Sequence, residues 1–402
     1  MIASPTPTTK VPFARRAAAF APSVWAAIDA LYAAHPDRDL IFFGGGAPPA
    51  DLIPTARLRE AAMLAWRDAP AALDYGEVAG YPPLRRLIAD RMAARGMVVD
   101  PEQVLVTNGS QQGIDLVARL FLDPGDLVVV EEPTYLGALQ TFAGWEASFL
   151  TVPLDGDGIR VDILADLLEH SPRRPKLLYL VPTFQNPSGV SLSLSRRRHL
   201  LGLARQHGLV VIEDDPYGDL WYDQPPPPPL RALDPDVVYL GTFSKTLAPG
   251  LRVGWVAAPP AIAEPLFFAK EGSDIHNERL SARTVYHAAD GFLDDHLAAV
   301  RPVYRHRRDV LLAGLAEFMP PGVGWTSPSG GFFVWVDLPK GRDAVALLAR
   351  AAAAGVVYLP GAWFSPNPTS ATRRSLRLNF STLPEDRIVE GLRRLGRVIA
   401  GG

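Results

Sequence analysis

A lysine flanked by hydroxyl side chains lies near the middle of the chain, directly after an apolar run. It is Lys245, in the segment Thr-Phe-Ser-Lys-Thr-Leu-Ala-Pro-Gly-Leu-Arg that runs from Thr242 to Arg252. Hydroxyls and a guanidinium suit a phosphate group, which an arginine can bind through two parallel hydrogen bonds. A partly desolvated lysine beside an arginine has a lowered pKa and can form a Schiff base with a carbonyl group. A surface lysine beside a Pro-Gly turn is the alternative, but the chain has only 5 lysines among its 40 basic residues, and the other four lie in polar or terminal segments.

Two further polar segments follow apolar runs of strand length. Asp214, in Glu-Asp-Asp-Pro-Tyr, comes at the carboxyl end of such a run, where open α/β sheets bind ligands. Its carboxylate could hold a cationic ring nitrogen, and Tyr217 could reach a nearby oxygen, although a metal-binding or helix-capping carboxylate fits the segment about as well. The segment 107–113, Thr-Asn-Gly-Ser-Gln-Gln-Gly, begins a helix whose free amide groups favour an anion. The chain contains neither Gly-x-x-x-x-Gly-Lys-Ser/Thr nor Gly-x-Gly-x-x-Gly, which disfavours nucleotide and dinucleotide binding.

The composition narrows the classes of function further. The chain has 402 residues, of which 48% are hydrophobic and 21% charged, with a formal net charge of -3. A large buried core is therefore expected, and a general affinity for nucleic acid or a membrane surface is not. The absence of cysteine excludes disulfides, thiolate metal sites and cysteine nucleophiles. With no signal peptide or membrane-spanning stretch apparent in the sequence, we expect a cytoplasmic protein. The 8 histidines show no paired i, i+4 ligand spacing, so we expect no metal site.

The elements that must position these residues alternate between strands and helices. Six runs that are apolar on both faces predict buried parallel strands: Val104–Thr107, Leu127–Val130, Leu177–Val181, Leu209–Ile212, Val237–Leu240 and Val253–Ala257. Between them lie four helical patterns: Gln111–Leu122, Tyr135–Ala143, Val161–Leu168 and Ser195–His207. This alternation predicts an α/β fold in which residues 41–290 form a large domain with a mostly parallel, doubly wound sheet.

The two ends of the chain have different patterns. Residues 1–40 predict an N-terminal arm with a short helix, Ser23–Tyr32. Residues 291–402 predict a smaller α+β domain. Its predicted elements are the helices Leu293–Phe318, Asp343–Ala354 and Glu385–Ala400 and the strands Gly331–Asp337 and Ser375–Phe380.

Four motifs, taken in order, resemble one family. They are the turn Phe184–Gly189 (Phe-Gln-Asn-Pro-Ser-Gly), the Asp-Asp-Pro-Tyr segment, the lysine segment and Arg377–Phe380 (Arg-Leu-Asn-Phe). From about Ile41 to the end, the chain resembles the pyridoxal-phosphate (PLP) enzymes of the class I/II aminotransferase group, which have fold type I. The motifs are most similar to those of the 2-aminoadipate, aromatic and multi-substrate aminotransferases, and the catalytic domain of PLP-dependent transcription regulators is similar too.

The resemblance implies a role for each matching residue in binding PLP. Lys245 would bind the cofactor as a Schiff base and then move the proton between the substrate and the cofactor. Asp214 would pair with the protonated pyridine nitrogen, and Asn186 and Tyr217 would donate hydrogen bonds to the ring oxygen. Tyr135 would stack on the ring face. The cofactor phosphate would be bound by residues of this subunit and one of its neighbour: Ser110, Gln111, Thr242, Ser244, Arg252 and Tyr75 of the partner subunit.

The resemblance also implies how substrate is bound. Arg377 would bind the α-carboxylate together with Asn186, and Gly45 and Gly46 would let the backbone approach the substrate closely. Each residue type has a simpler alternative: Arg377, for example, lies in an alternating strand, where an exposed arginine in a salt bridge is common. Relatives that act on acidic substrates carry an arginine in the N-terminal helix at the position where this chain has Ala26, with Trp25 beside it, which points to an apolar or aromatic substrate side chain.

The function implied is an aminotransferase that moves an amino group between an α-amino acid, aromatic or aliphatic, and a 2-oxo acid such as 2-oxoglutarate in a ping-pong reaction. A PLP-dependent lyase, decarboxylase or cyclase would use the same cofactor on a different bond. A ligand-sensing regulator domain is the third hypothesis, disfavoured because only about 40 residues precede the matching region. Because the family's active site is shared between subunits, the resemblance also implies a homodimer. It further implies that the arm at residues 1–40 contributes to the small domain and covers the substrate.

Overall fold

The computed structural model describes residues 12–20 and 24–401. Its strands are β1 (Ile41–Phe42), β2 (Val104–Thr107), β3 (Leu127–Glu132), β4 (Ser148–Asp155), β5 (Gly158–Ile159), β6 (Leu177–Leu180), β7 (Val210–Asp214), β8 (Val238–Thr242), β9 (Gly254–Ala257), β10 (Gly324–Trp325), β11 (Phe333–Asp337), β12 (Val356–Val357), β13 (Leu359–Pro360) and β14 (Ser375–Asn379). Its α-helices are α1 (Val24–Ala34), α2 (Thr55–Arg67), α3 (Pro82–Ala94), α4 (Ser110–Phe121), α5 (Leu136–Gly144), α6 (Val161–His170), α7 (Leu194–His207), α8 (Leu230–Leu233), α9 (Pro260–Asp274), α10 (Arg279–Ala289), α11 (Leu293–Phe318), α12 (Ala344–Ala353), α13 (Ser370–Arg373) and α14 (Glu385–Ala400).

The larger sheet has eight strands in the order β2-β9-β8-β7-β6-β3-β4-β5. Strands β8, β7, β6, β3 and β4 pair in parallel, which confirms the predicted α/β class with its mostly parallel sheet. The run Val253–Ala257 was wrongly predicted to be parallel: β9 is antiparallel to both of its neighbours, β2 and β8. Burial on both faces makes its sequence as apolar as that of a parallel strand, so the pattern does not reveal its direction.

Helices cover both faces of this sheet. Along β3, Val128 and Val130 pack with α4, α5 and α9 on one face, whereas Val129 packs with α6 and α7 on the other. Tyr179 and Leu178 divide in the same way on β6. Because successive side chains of a strand point to opposite faces, this double cover explains why the strands are apolar throughout.

The smaller sheet is antiparallel, in the order β10-β11-β14-β13, and β1 pairs in parallel with β12. Helices α11, α12 and α14 pack beside it, so the predicted smaller α+β part is present. Helices α11 and α14 have the bounds that the sequence predicts. The divisions at residues 40 and 290 stay predictions.

The sequence patterns missed several elements. The longer ones are α2, α3, α9, α10 and the strand β4, whose side chains are mostly half-buried rather than fully buried. The short elements β1, β5, β10, β12, β13, α8 and α13 were missed as well. The helix predicted at Ser23–Tyr32 is α1, although Ser23 and residues 1–11 of the arm lie outside the described residues. None of the helices within residues 12–20 and 24–401 is both long enough and apolar enough to cross a membrane.

Candidate active site

A cavity of about 350 Å³ lies beside the carboxyl ends of β7 and β8, between the two sheets. Asp214 is the last residue of β7, and Thr242 the last of β8, so strand termination brings both to the cavity. All but one of the predicted site residues line it: Gly45, Gly46, Ser110, Gln111, Tyr135, Asn186, Asp214, Tyr217, Thr242, Ser244, Lys245, Arg252 and Arg377. The exception is Tyr75.

Lys245 crosses the cavity to the glycine segment that follows β1. Its Nζ donates a hydrogen bond of 2.6 Å to the carbonyl oxygen of Gly46. The pKa of Lys245 is lowered to about 8, mainly by burial and then by the positive charges of Arg377 and Arg252, against the charge of Asp214, which raises it. An amine with this pKa has a substantial neutral fraction near neutral pH, and the neutral form is the nucleophile and the proton acceptor.

Asp214 is the only carboxylate among the described residues that line the cavity. Burial raises its pKa to about 7, against the hydrogen bond from Tyr179, which lowers it. Its Oδ1 is buried and has no hydrogen-bond partner among the described residues. A buried carboxylate with a free oxygen is costly unless a cation or donor pairs with it, so this atom fits a cationic group in the cavity.

Arg377 lies on β14, the central strand between β11 and β13. Its side chain is not the exposed arginine of the alternative reading, since the residue is only 4% exposed. Nη1 donates to Asn186 Oδ1 at 2.8 Å, and Nη2 donates to the carbonyl oxygens of Gly44 at 2.6 Å and Gly45 at 3.0 Å. Burial lowers the pKa of Arg377 to about 10.

The guanidinium of Arg377 has no carboxylate partner among the described residues. Its Nε is buried without a hydrogen bond, and the group lies 4.1 Å from the centroid of the Phe333 ring. A desolvated guanidinium whose neighbours are neutral is prepared to bind an anion, and its planar shape suits a carboxylate. A side chain at Gly46 would place its Cβ 3.1 Å from the Phe333 ring, so glycine keeps this approach open.

Hydroxyl, amide and guanidinium groups meet at the other end of the cavity. Thr242 Oγ1 donates to Ser244 Oγ at 2.9 Å and accepts from the Ser244 amide at 3.1 Å. Arg252 has a left-handed φ of 53° and donates through Nη2 to the carbonyl of Asn108 at 3.2 Å, beside the first residue of α4, Ser110. This arrangement of a helix start, hydroxyls and an arginine fits a phosphate group.

Two tyrosines border the middle of the cavity. The hydroxyl of Tyr135 donates to Gln111 Oε1 at 3.1 Å, and burial, with the charge of Asp214, raises the Tyr135 pKa to about 12. Tyr217 is buried with its ring edge-on to Phe332 and Phe333, and burial raises its pKa as well. Both hydroxyls are therefore neutral hydrogen-bond donors at physiological pH.

Three placements go beyond or against the sequence predictions. Tyr75 is 77% exposed, outside the cavity, with its ring edge-on to His276. Trp25 lines the cavity, whereas its neighbour Ala26 is exposed and does not. Sequence reasoning did not identify seven apolar residues that also line it: Ala47, Leu136, Val181, Pro216, Pro249, Phe333 and Leu359. No sequence signal separates these from ordinary core residues.

Comparison with known proteins identifies the family. Residues 38–395 match the family described as aminotransferase class I and II. The chain belongs to this family. Among its relatives, the aromatic-amino-acid aminotransferase 1 of Thermococcus litoralis is 42% identical over 369 residues, 90% of this chain and 88% of that protein. The 2-aminoadipate transaminase of Thermus thermophilus is 40% identical over 368 residues, 90% of each chain.

Solved structures of aminotransferases have the same fold. The kynurenine aminotransferase of Pyrococcus horikoshii, in complex with PMP, superposes with a TM-score of 0.90 at 38% identity, covering 97% of both chains. The α-aminoadipate aminotransferase of Thermus thermophilus, complexed with N-(5'-phosphopyridoxyl)-L-leucine, gives a TM-score of 0.89 at 38% identity and the same coverage. The chain is thus a PLP-dependent aminotransferase of fold type I, and the lyase and regulator alternatives are not supported. The unpartnered oxygen of Asp214, the lysine and the phosphate-sized cluster of donors fit the cofactor.

Proposed function

We propose that this aminotransferase takes its amino group from an aromatic or aliphatic α-amino acid and passes it to a 2-oxo acid such as 2-oxoglutarate, by a ping-pong mechanism. The number of arginine side chains that line the cavity supports the proposed substrate side chain. Among the described residues that line it, the arginines are Arg252, at the phosphate end, and Arg377. Once Arg377 binds the α-carboxylate, no further arginine remains for an acidic side chain, while Trp25 and Leu359 offer apolar surface.

The cofactor would be held by residues at both ends of the cavity. Lys245 would bind it covalently, Asp214 would pair with its ring nitrogen, and Tyr135 would cover the ring face. The ring oxygen would accept from Asn186 and Tyr217. The phosphate would be bound by the groups that converge at the start of α4 and after β8: Ser110, Gln111, Thr242, Ser244 and Arg252. When bound, PLP withdraws electrons from the substrate Cα.

Proton transfer would then fall to Lys245. Once the incoming amino acid has displaced Lys245 from the cofactor, its neutral Nζ would accept the proton from the substrate Cα. It would then return a proton to the cofactor. Its lowered pKa favours this because an ammonium group could not accept the proton. Arg377, with Asn186 and the close backbone of Gly45 and Gly46, would fix the α-carboxylate and so orient the Cα–H bond.

A substrate titration of the purified enzyme tests the proposed reaction. Each of a panel of amino acids is added in the absence of acceptor, and the absorbance of the cofactor and the products are measured. Transamination converts the cofactor to pyridoxamine phosphate with one equivalent of 2-oxo acid; release of ammonia or carbon dioxide instead would contradict it. For the second carboxylate of 2-oxoglutarate, too, the described lining of the cavity offers no further arginine, so the acceptor panel pairs 2-oxoglutarate with pyruvate, which lacks that group.

We expect the substitution Trp25→Arg to shift the donor preference toward acidic amino acids. It places a cation at the cavity wall, where it can pair with a side-chain carboxylate, and removes an aromatic surface. The ratio of kcat/KM for 2-aminoadipate to that for phenylalanine should rise about 2- to 5-fold, because a partly exposed charge pair contributes up to about 1 kcal/mol and about 1.4 kcal/mol is tenfold. Ala26→Arg is the matched control: it adds the same charge on the exposed face of α1 and should shift the ratio less. An equal shift in both variants would show that Trp25 does not set the preference.

We also propose that the enzyme is a homodimer in which Tyr75 of each subunit completes the phosphate site of the other. The exposure of Tyr75 beside two other exposed apolar residues supports this: Leu73 is 58% and Ile275 is 48% exposed. Arg279 donates to the Tyr75 carbonyl at 2.8 Å and so holds this segment against α10. We further propose the domain division at residues 40 and 290, and a cytoplasmic location, where amino acids and 2-oxo acids are metabolised.

Subunit mixing tests the shared site. Tyr75→Ala should weaken PLP binding about 10-fold, the loss of one hydrogen bond to a charged group, while Lys245→Ala should be inactive. Unfolding and refolding the two variants together should restore activity at low PLP concentration, because each hybrid dimer contains one site with both intact residues. If the mixture is no more active than Tyr75→Ala alone, then Tyr75 does not act across subunits.

A further inference from the structure

A tyrosine buried in the core touches the carboxylate of Asp214 from the side away from the cavity. Tyr179, on β6, is fully buried, and its hydroxyl donates a hydrogen bond of 2.7 Å to Asp214 Oδ2. Its ring is fixed edge-on against Phe142 of α5, with the centroids 5.6 Å apart. Tyr179 is not among the residues that line the cavity.

The two oxygens of Asp214 are therefore in different situations. Oδ2 is engaged by Tyr179, whereas Oδ1 is buried without a partner. A carboxylate can rotate about its terminal bond, and a donor fixed on one oxygen removes that freedom. The same donor favours the charged form, since it lowers the pKa of Asp214, which burial raises.

We propose that Tyr179 is a positioning residue for cofactor binding: by holding Oδ2, it fixes an ionised Asp214 with Oδ1 available to the cationic ring nitrogen of the cofactor. The inference rests on the proposed role of Asp214. It assigns the strength of that pairing to a residue outside the cavity, from a run of sequence, Leu-Leu-Tyr-Leu, that otherwise reads as core.

The structure provides a matched control on the strand at the other side of β7. Tyr239, on β8, is equally buried, and its hydroxyl donates to Oδ2 of the adjacent carboxylate, Asp215, at 3.0 Å. Asp215 also pairs with Arg95 at 2.6 Å and does not line the cavity. Tyr239→Phe therefore removes the same kind of buried hydrogen bond without touching Asp214, together with a bond of 3.1 Å that Arg95 Nη1 donates to the Tyr239 hydroxyl.

The test compares two ligands in the two variants. One is PLP, and the other is its analogue with carbon in place of the ring nitrogen. The cofactor is first removed from the enzyme, and the enzyme is shown to bind PLP again. Dissociation constants for both ligands are then measured by fluorescence titration. Tyr179→Phe should weaken PLP about 10-fold, as expected for one hydrogen bond to a charged group, and leave the analogue within about two-fold. Tyr239→Phe should leave both unchanged.

Each other outcome overturns the proposal. Equal weakening of both ligands by Tyr179→Phe would mean that the hydroxyl supports the fold, and no weakening would mean that Asp214 needs no second partner. In an Asp214→Asn background, Tyr179→Phe should have no further effect on PLP affinity, and a further loss would overturn the proposal. This comparison of Asp214→Asn with the double variant carries the test if Tyr179→Phe alone does not fold. If the unaltered enzyme binds PLP no better than its analogue, the proposed role of Asp214 itself fails.

Discussion

Replacing Lys245 by alanine is expected to lower turnover at least about 10⁴-fold, because the change removes both the covalent anchor of the cofactor and the base that moves the substrate proton. Borohydride should no longer fix the cofactor to the chain, a loss that peptide mass spectrometry detects at the Lys245 peptide. The variant should still fold, since the side chain makes a single hydrogen bond, to the Gly46 carbonyl. A small amine added to the assay should restore part of the activity by replacing the missing base.

The control is Lys176→Ala. Lys176 is a surface lysine that pairs with Asp126 at 2.5 Å, far from the chemistry proposed here. It should retain both turnover and the borohydride-fixed cofactor. Retained turnover in Lys245→Ala would remove this lysine from the mechanism, and a fixed cofactor at another lysine would show which of the remaining four takes its place.

The sequence predicts that Asp214 and Lys245 lie together because the ends of strands are visible in it, and both residues line the cavity. Asp214 and Lys245 each follow an apolar run, and parallel strands bring their carboxyl ends to one edge of the sheet. The direction of β9 was not predictable, since both faces of a buried strand are apolar whichever way it runs. The strand β4 was missed for the opposite reason: most of its residues are half-buried, so its sequence has neither an apolar run nor a clean alternation.

The two residues that we propose to act from outside the cavity differ in how far the sequence reveals them. Tyr179 lies in an apolar run, where a tyrosine is as typical of core packing as of a hydrogen bond to a carboxylate. Its role depends on the register that places Tyr179 opposite Ile212, two residues before Asp214. Tyr75 presents the converse case: its motif predicts a role, but a single chain leaves it 77% exposed, because its proposed partner belongs to another subunit.

Replacing Arg377 by methionine is expected to lower kcat/KM for phenylalanine about 10²- to 10³-fold. The proposed pairing joins a buried guanidinium to the substrate α-carboxylate, and breaking a buried charge pair costs roughly 3–5 kcal/mol, with about 1.4 kcal/mol for each factor of ten. The kcat/KM of Arg377→Lys should lie between those of the unaltered enzyme and Arg377→Met, since lysine keeps the charge but loses the planar pair of donors. Stopped-flow measurement of the first half-reaction checks both values.

The decisive comparison uses a substrate without a carboxylate. 2-Phenylethylamine has the same ring and amino group as phenylalanine, so its slower reaction should be nearly insensitive to Arg377→Met, and the preference for phenylalanine should collapse. The affinity for PLP should fall far less than kcat/KM, because Arg377 contacts only one of the proposed cofactor-binding residues, Asn186, and its other hydrogen bonds go to the carbonyls of Gly44 and Gly45. An equal loss with both substrates would instead mean that Arg377 holds the glycine segment and Asn186 in place. The α-carboxylate would then have to be bound by another group in the cavity. The lack of a further arginine would no longer favour an apolar substrate side chain.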